Sequence, residues 1–329
     1  MLWRVLSLLL RRFPISGDKR LVLVTGGAGF IGSHLVDRLV AEGFGVRVLD
    51  DLSSGCLDNI RGHVDAGRVE FVRGDVKDAG VVGECCRGVG FVVHLAAVVS
   101  VPFSVAHPEL TFDTNVNGTV NVLVAAARAK VSRVVFASTC AVYGDPEYLP
   151  LDENARCKPI SPYAESKLAA ERYILGFCER GVLDCVALRF FNVYGPRQCM
   201  NDYSGVITRF VDLARSGSPL TVYGDGSATR DFVYVGDVVA AVVRCLESKA
   251  AVGEVFNVGT GRSVSVKELA RTVLDLTGSR SSVCFCEPRA GDILHSYADV
   301  GKAKRLLGFR AKTGLRDGLR ALIEKGSAV

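Results

Sequence analysis

The feature that most restricts the fold is a turn. Between the branched apolar run Leu21-Val22-Leu23-Val24 and a stretch where Ile31, Leu35, Val36, Leu39 and Val40 recur at helical spacing, the chain reads Thr25-Gly26-Gly27-Ala28-Gly29-Phe30-Ile31-Gly32. An apolar run, a tight glycine turn and an amphipathic segment are strand, turn and helix. The order repeats: apolar runs at Val46–Leu49, Val69–Val72, Phe91–Leu95, Val134–Ala137 and Val186–Phe190 predict further strands, most with a helical stretch behind them. Strands that are apolar throughout are covered on both faces, and alternation of strand with helix builds a parallel sheet between two helix layers.

A glycine turn entering a helix sets unpaired amides and the positive end of the helix dipole against whatever fills it, and the absent side chains let a pyrophosphate approach. Asp50 closes the second predicted strand 18 residues beyond Gly32. A carboxylate there accepts hydrogen bonds from both ribose hydroxyls of a dinucleotide and repels a 2′-phosphate, which favours NAD over NADP. The expected fold class is therefore α/β, a Rossmann-type doubly wound parallel sheet over residues 21–190 that binds NAD. Asp75, in the Gly74-Asp75-Val76 turn after the third strand, is a candidate neighbour of the adenine. Beyond Phe191 the pattern loosens into short elements rich in Gly, Pro and Ser. That predicts a smaller α/β substrate-binding domain over 191–329, with segments around 230–260 returning to the first domain.

Composition excludes other classes. With 49% hydrophobic and 23% charged residues, the chain has the makings of a folded core and not of a disordered tract. Its 40 basic and 35 acidic residues are interspersed, and a net charge of +5 gives no footprint for nucleic acid. The eleven cysteines lack metal-ligand spacing, so reduced thiols and no metal site are expected. Residues 1–20 read as an amino-terminal extension. Its apolar run Val5–Leu10, flanked by Arg4, Arg11 and Arg12, is too short to span a bilayer, so no stable membrane insertion and a cytoplasmic location are expected.

The reactive groups enter with Ser161-Pro162-Tyr163-Ala164-Glu165-Ser166-Lys167. Ser161 is a natural helix cap and Pro162 fits the first helical position, so Tyr163 and Lys167 fall one turn apart on one face. A phenol titrating near 10 is a poor base at neutral pH, but a neighbouring ammonium and a cationic nicotinamide favour the phenolate. Ser138 and Thr139 leave a predicted strand at its carboxyl end, where open α/β sheets bind ligands. Thr139 lies 24 residues before Tyr163 and can hydrogen-bond the same substrate oxygen.

From Leu21 onward the ordered segments TGGAGFIGS, GDV, HLAA, NVNGT, STCAVYG, SPYAESK, RFFNVYGPRQ, GDGSATRDFVYV and FNVGTG resemble the extended short-chain dehydrogenase/reductases, within them the nucleotide-sugar epimerases typified by UDP-glucose 4-epimerase. The resemblance implies Thr139, Tyr163 and Lys167 as the catalytic set. It implies cofactor contacts from Gly26, Gly29, Phe30, Ile31, Gly32, Asp50, Asp75, Val76, Leu95, Ala96, Ala97 and Asn115, with Tyr163 and Lys167. For a UDP-sugar it implies Ser138 and Thr139 at the sugar, Asn192, Arg230 and Arg289 at the diphosphate with Arg197 in support, Tyr223 against uracil and Asp292 at its ribose. Ser296 matches the position whose bulk decides whether an N-acetyl group fits beside the hexose. Related dehydratases and decarboxylases resemble STDEVYG and STSEVYG; here Cys140 and Ala141 replace those carboxylates, which favours simple epimerisation. The same resemblance implies a homodimer through a helical bundle that includes the Tyr163 helix, with Leu168, Ile174 and Leu175 as contributors. Alternatives left open are a UDP-glucuronate epimerase, a dehydratase or decarboxylase with unusual acids, and a non-catalytic NAD-binding regulator.

Overall fold

The computed structural model describes residues 18–198, 205–288 and 293–325. Their chain divides into two compact units, one from residues up to 139, 161–188 and 241–255, the other from 140–160, 189–240 and 256 onward. The expectations for residues 1–17, and those for Arg289 and Asp292, lie outside the described residues.

The first unit is built on strands β1 (Asp18–Thr25), β2 (Gly45–Asp50), β3 (Val69–Arg73), β4 (Val89–His94), β5 (Arg133–Thr139) and β6 (Cys185–Phe190). They belong to a seven-stranded sheet in the order Val255–Val258, β6, β5, β4, β1, β2, β3. β1 runs parallel to both β2 and β4, β2 to β3, and β4 to β5. The chain thus steps outward from β1 to β3, then returns to lay β4 on the other side of β1. At such a reversal the connections leave in opposite directions and open a crevice at the carboxyl ends of the strands. The glycine turn follows β1 and Leu95-Ala96-Ala97 follows β4, so the crevice is lined by both.

Every residue of β4 is buried, as its uninterrupted apolar run demands. Leu95, expected inside that strand, lies just past it and donates its amide to the Thr25 carbonyl at 3.1 Å. Leu23, Val92, Val134 and Phe136 of the sheet pack with Val122 and Leu123 of the Gly118–Ala129 helix and Ile174 and Phe177 of the Pro162–Glu179 helix. Burying each such side chain contributes about 1.5–3 kcal/mol. Ile174 is fully buried in this interior, which corrects its expected place at a subunit interface; Leu168 is 7% exposed and Leu175 half-buried. Residues 241–255 belong to this unit, with Arg133 Nη1 donating to the carbonyls of Cys245 and Ser248 at 2.9 and 2.7 Å.

The second unit carries short strands. Asn192–Tyr194 pairs in parallel with Phe232–Tyr234, Leu220–Tyr223 with Val283–Cys286, and Thr229–Arg230 lies between Val264–Ser265 and His295–Ser296. Its core is Phe210 and Val211, Leu269 and Val273, and Leu319 and Leu322, from the helices Val206–Arg215, Val266–Thr277 and Leu315–Lys325. Residues 140–160 belong here, whereas the strand pattern alone assigned them to the first domain. The reason is long-range: the Tyr143 hydroxyl donates to Asn257 Oδ1 at 2.6 Å and accepts from Arg189 Nη1 at 3.0 Å, and Leu151 bridges to Ala298.

Candidate functional site

In the first unit the turn after β1 is shaped by close backbone approach. Gly26 has φ +71°, and a Cβ on it would lie 2.8 Å from the Ala96 amide nitrogen; a Cβ on Gly32 would lie 2.0 Å from the Gly26 carbonyl oxygen. The Phe30–Ala41 helix that follows has Gly29 at its cap and no side chain capping it. Its first amides therefore remain available to an anion at the positive end of the dipole. Asp50, at the end of β2, is 6% exposed and stitches the turn: Oδ2 accepts from the Ala28 amide and Oδ1 from the Leu52 amide, each at 2.9 Å. Each oxygen keeps a lone pair for a ligand hydroxyl. Burial raises the Asp50 pKa, against the lowering effect of those two amides. A backbone cradle that side chains would fill, an uncapped helix start and a carboxylate beside them are the donor and acceptor set of a dinucleotide site. NAD fits it.

Other expected cofactor residues have prior commitments. Asp75 Oδ1 accepts from the Lys77 amide at 2.8 Å, so it shapes its own turn. Val76 is 4% exposed and packs in the core, leaving its backbone for any ligand. Phe30, Ile31, Leu95, Ala96 and Ala97 are half-buried around the crevice. Asn115 sits in a π-helical turn, Asp113–Asn117, with both amide hydrogens given to Val98 O and Ser166 Oγ at 2.9 Å and Oδ1 accepting from the Val98 amide. It is mainly a strut.

The Pro162–Glu179 helix starts as its sequence dictates. Ser161 Oγ accepts from the Ala164 amide at 3.2 Å and Pro162 occupies the first turn. The Tyr163 amide donates to Ser104 Oγ at 3.1 Å, and its carbonyl accepts from Ser166 Oγ at 2.7 Å, the same hydroxyl that Asn115 holds. Tyr163 is half-buried, and Lys167, one turn on, is 3% exposed with Nζ 4.2 Å from the centre of the Phe136 ring. Burial lowers the Lys167 pKa to about 7, against a smaller raising effect from Glu171. Its charge is thus held at the edge of neutrality. Thr139 ends β5 half-buried, and the adjacent Ser138 donates to Glu171 Oε2 at 2.5 Å.

Two residues here escaped the sequence reading. His94, 1% exposed at the end of β4, is bonded on both ring nitrogens, Nδ1 to Thr25 Oγ1 at 2.7 Å and Nε2 to Thr119 Oγ1 at 3.0 Å. Because Thr119 Oγ1 donates to the Asn115 carbonyl at 2.6 Å, it accepts from His94, which assigns the proton to Nε2. Burial, reinforced by the Lys167 charge, lowers its pKa to about 3, so the ring is neutral. The chain Thr25–His94–Thr119–Asn115–Ser166–Tyr163 therefore ties the glycine turn to the Tyr163 helix by hydrogen bonds. The other is Glu171. The only sequence signal for either was a polar residue within an otherwise apolar strand or helix face.

In the second unit, strand register sets Arg230 beside Ser296, which is 7% exposed. Arg230 Nη1 donates to the carbonyls of Thr229 and Leu294 at 2.8 and 3.3 Å. Tyr223 lies half-buried at the end of its strand, and Arg197 has a left-handed backbone at φ +67°. Among the described residues Asn192 Oδ1 is buried without a hydrogen-bond partner, an open valence that a bound ligand would fill. Asp231, also missed from sequence, accepts from Thr260 N and Oγ1, Gly261 N and Ala298 N at 2.8, 2.6, 2.9 and 3.2 Å. It is the staple between the TRDF and VGTG segments.

Among the described residues no helix is long and apolar enough to cross a membrane, and no group of His, Cys, Asp and Glu could hold a metal ion.

Comparison with known proteins agrees with this geometry. The chain is 41% identical over 304 residues to a UDP-glucose 4-epimerase of Mycolicibacterium smegmatis, covering 92% of this chain and 97% of that one. The crystal structure of the Thermus thermophilus UDP-glucose 4-epimerase in complex with NAD superposes with a TM-score of 0.85 at 39% identity, over 93% and 98% of the two chains. A UDP-N-acetylglucosamine 4-epimerase from Methanobrevibacter ruminantium, in complex with UDP-N-acetylmuramic acid, gives a TM-score of 0.89 at 35% identity, over 94% and 98%. The model of the NAD dependent epimerase/dehydratase family matches residues 22–259. A Rossmann-type sheet with an NAD cradle, a Tyr-Lys helix beside it, and relatives alike along nearly their whole length place the chain in the NAD-dependent epimerase/dehydratase family, as a UDP-sugar 4-epimerase.

Proposed function

We propose that the protein interconverts UDP-glucose and UDP-galactose, with NAD bound throughout the cycle. The observation that carries this reading is a Tyr163–Lys167 pair on a capped helix, with the lysine buried, next to a strand end that offers the Thr139 hydroxyl and then Cys140 and Ala141 in place of carboxylates.

NAD, when bound, would supply a hydride acceptor and donor for C4 of the hexose; Gly26, Gly29, Gly32 and Asp50 would hold it. Tyr163, as phenolate, takes the proton of the C4 hydroxyl and later gives it back. Lys167 stabilises that phenolate by its charge, and Thr139 donates to the sugar oxygen and orients it. Between the two half-reactions the sugar is a 4-ketose, and the hexose must turn over while its nucleotide stays fixed. Firm phosphate contacts and loose sugar contacts meet that requirement. Asn192, Arg230 and Arg289 are assigned to the diphosphate, Tyr223 to the uracil and Asp292 to its ribose, and the open valence on Asn192 supports a ligand there. Elimination of water needs a carboxylic acid that positions 140 and 141 lack.

The small side chain of Ser296 supports acceptance of the N-acetylhexosamine pair as well. We place the enzyme in the cytoplasm, as a homodimer. Support for the dimer comes from Val101, Val105, Leu110 and Phe112 of the first unit, 43–64% exposed on consecutive short helices that pack on the Tyr163 helix. The test is incubation with UDP-galactose and no added cofactor, followed by separation of the nucleotide sugars. UDP-glucose of unchanged mass is expected, and is lost in Tyr163→Phe by at least about a hundredfold. A product lighter by water or carbon dioxide, or no turnover at all, contradicts the reading.

A further inference from the structure

We infer that Glu171 is a positioning residue of the active site: its buried carboxylate, fixed by Ser138, supplies the negative charge that keeps the Lys167 ammonium charged. The inference rests on the reading of Tyr163 and Lys167 given above.

The helix face that carries Ala164, Lys167, Leu168, Glu171, Ile174 and Phe177 is buried, yet two of its members are ionisable. A lysine at 3% exposure and a glutamate at 2% both forfeit hydration, a cost that an apolar pair at the same positions would avoid. Departures of this kind from the local pattern are characteristic of functional sites. Spacing of four residues sets Glu171 one turn beyond Lys167 on the same face. Its Oε2 accepts from Ser138 Oγ at 2.5 Å, so the carboxyl group is held in place. Ser138 immediately precedes Thr139, so the same bond also fixes the end of β5 that presents the Thr139 hydroxyl.

Glu171 is the buried acidic side chain nearest to Lys167 along the helix face. On its own helix the other neighbour is Tyr163. From β4 comes His94, neutral and hydrogen-bonded on both nitrogens; from β5 come the Phe136 ring, Ser138 and Thr139, none of them charged. The remaining elements packed on the helix carry His107, Glu109, Asp113 and Arg128, which are exposed or half-exposed and screened by water. Burial has already brought the Lys167 pKa down to about 7, with Glu171 the one group opposing it. Without that carboxylate the lysine loses its proton at lower pH, the phenolate loses its support, and Tyr163 ceases to be a base.

The sign follows directly. Activity requires Lys167 charged, so its deprotonation forms the alkaline limb of the kcat/KM profile, and loss of the Glu171 charge must move that limb to lower pH. Glu171→Gln keeps the shape and a hydrogen bond to Ser138 while removing the charge. The expected result is an alkaline limb lowered by at least about one pH unit, so that activity falls about tenfold at pH 8.5 but only about threefold at pH 6.5. Glu171→Asp keeps the charge but withdraws it by one methylene; it moves the limb in the same direction by less, and carries the test if the Gln variant does not fold. A purely structural role would lower activity equally at all pH values, and an unmoved limb in folded Glu171→Gln or Glu171→Asp overturns the inference. Tyr163→Phe, measured in parallel, separates the two readings. If it retains turnover, the proposed mechanism itself fails; if it is inactive while the Glu171 limb stays put, only the role of Glu171 fails.

Discussion

Gly32 offers the sharpest test of the cofactor cradle. In Gly32→Ala the new Cβ would lie 2.0 Å from the Gly26 carbonyl oxygen, 2.7 Å from Gly27 Cα and 2.9 Å from the Gly26 carbonyl carbon. All three are backbone atoms, so no side chain can swing aside, and the turn must retreat from the helix by about 1 Å or more to restore normal contact. Overpacking of this kind costs about 1–3 kcal/mol in stability. The retreat also moves the amides that face a pyrophosphate, and each hydrogen bond to a charged group is worth about 1.5–3 kcal/mol. Loss of one such bond, with partial loss of a second, weakens NAD binding by about 3 kcal/mol, or about a hundredfold. Gly29→Ala is the internal control, because its Cβ would lie 3.2 Å from the Gly26 oxygen, a conflict that a shift of a few tenths of an ångström removes. It should weaken binding by less than about tenfold. NAD content of the purified variants, and calorimetric titration of NAD into protein stripped of cofactor, measure both. Binding by Gly32→Ala within threefold of wild type, or a larger loss in Gly29→Ala, would refute the close-approach reasoning.

Other perturbations follow from the buried groups. An unfolded lysine titrates near 10.5 and Lys167 in the fold near 7, so between those values the unfolded chain binds the extra proton and folding gains stability as pH rises. Relative to Lys167→Met, the wild-type protein should therefore gain about 2–4 kcal/mol between pH 7 and pH 10 in denaturant unfolding; a constant difference would contradict the burial of a proton-losing lysine. Asp231→Ala strands three backbone amides and the Thr260 hydroxyl, and should lower unfolding free energy by about 3 kcal/mol, read as a drop in thermal midpoint. Tyr143→Phe leaves Asn257 Oδ1 and Arg189 without the shared hydroxyl and should cost about 1–3 kcal/mol, whereas an unchanged midpoint would show that solvent replaces it.

What could be read from sequence was whatever local rules decide. The strands β1 to β6 are legible because a sheet covered on both faces writes itself as continuous apolar runs, and the start of the Tyr163 helix because Ser161 and Pro162 satisfy capping rules within three residues. What was missed depends on partners far along the chain. Glu171 stands in the sequence as an acid on a mostly apolar helix face, and its role shows only when Ser138, 33 positions away, is found against it. His94 needs Thr25 and Thr119, and Tyr143 needs Asn257, 114 positions on, which is why residues 140–160 left the domain to which their neighbours assigned them. Ile174 was apolar at helical spacing, and spacing cannot say whether such a residue faces a subunit partner or its own core. Asn115 shows the converse: a polar residue expected at the cofactor is spent almost wholly on holding Val98 and Ser166.

The central claim is that C4 is inverted by withdrawal and return of one hydride, with Tyr163 handling only the hydroxyl proton. It is tested by supplying UDP-galactose deuterated at C4 to the enzyme in ordinary water and examining the UDP-glucose formed. Retention of the deuterium at C4 is the expected result. Replacement of the label by solvent hydrogen would show that carbon is deprotonated instead, and would contradict the mechanism.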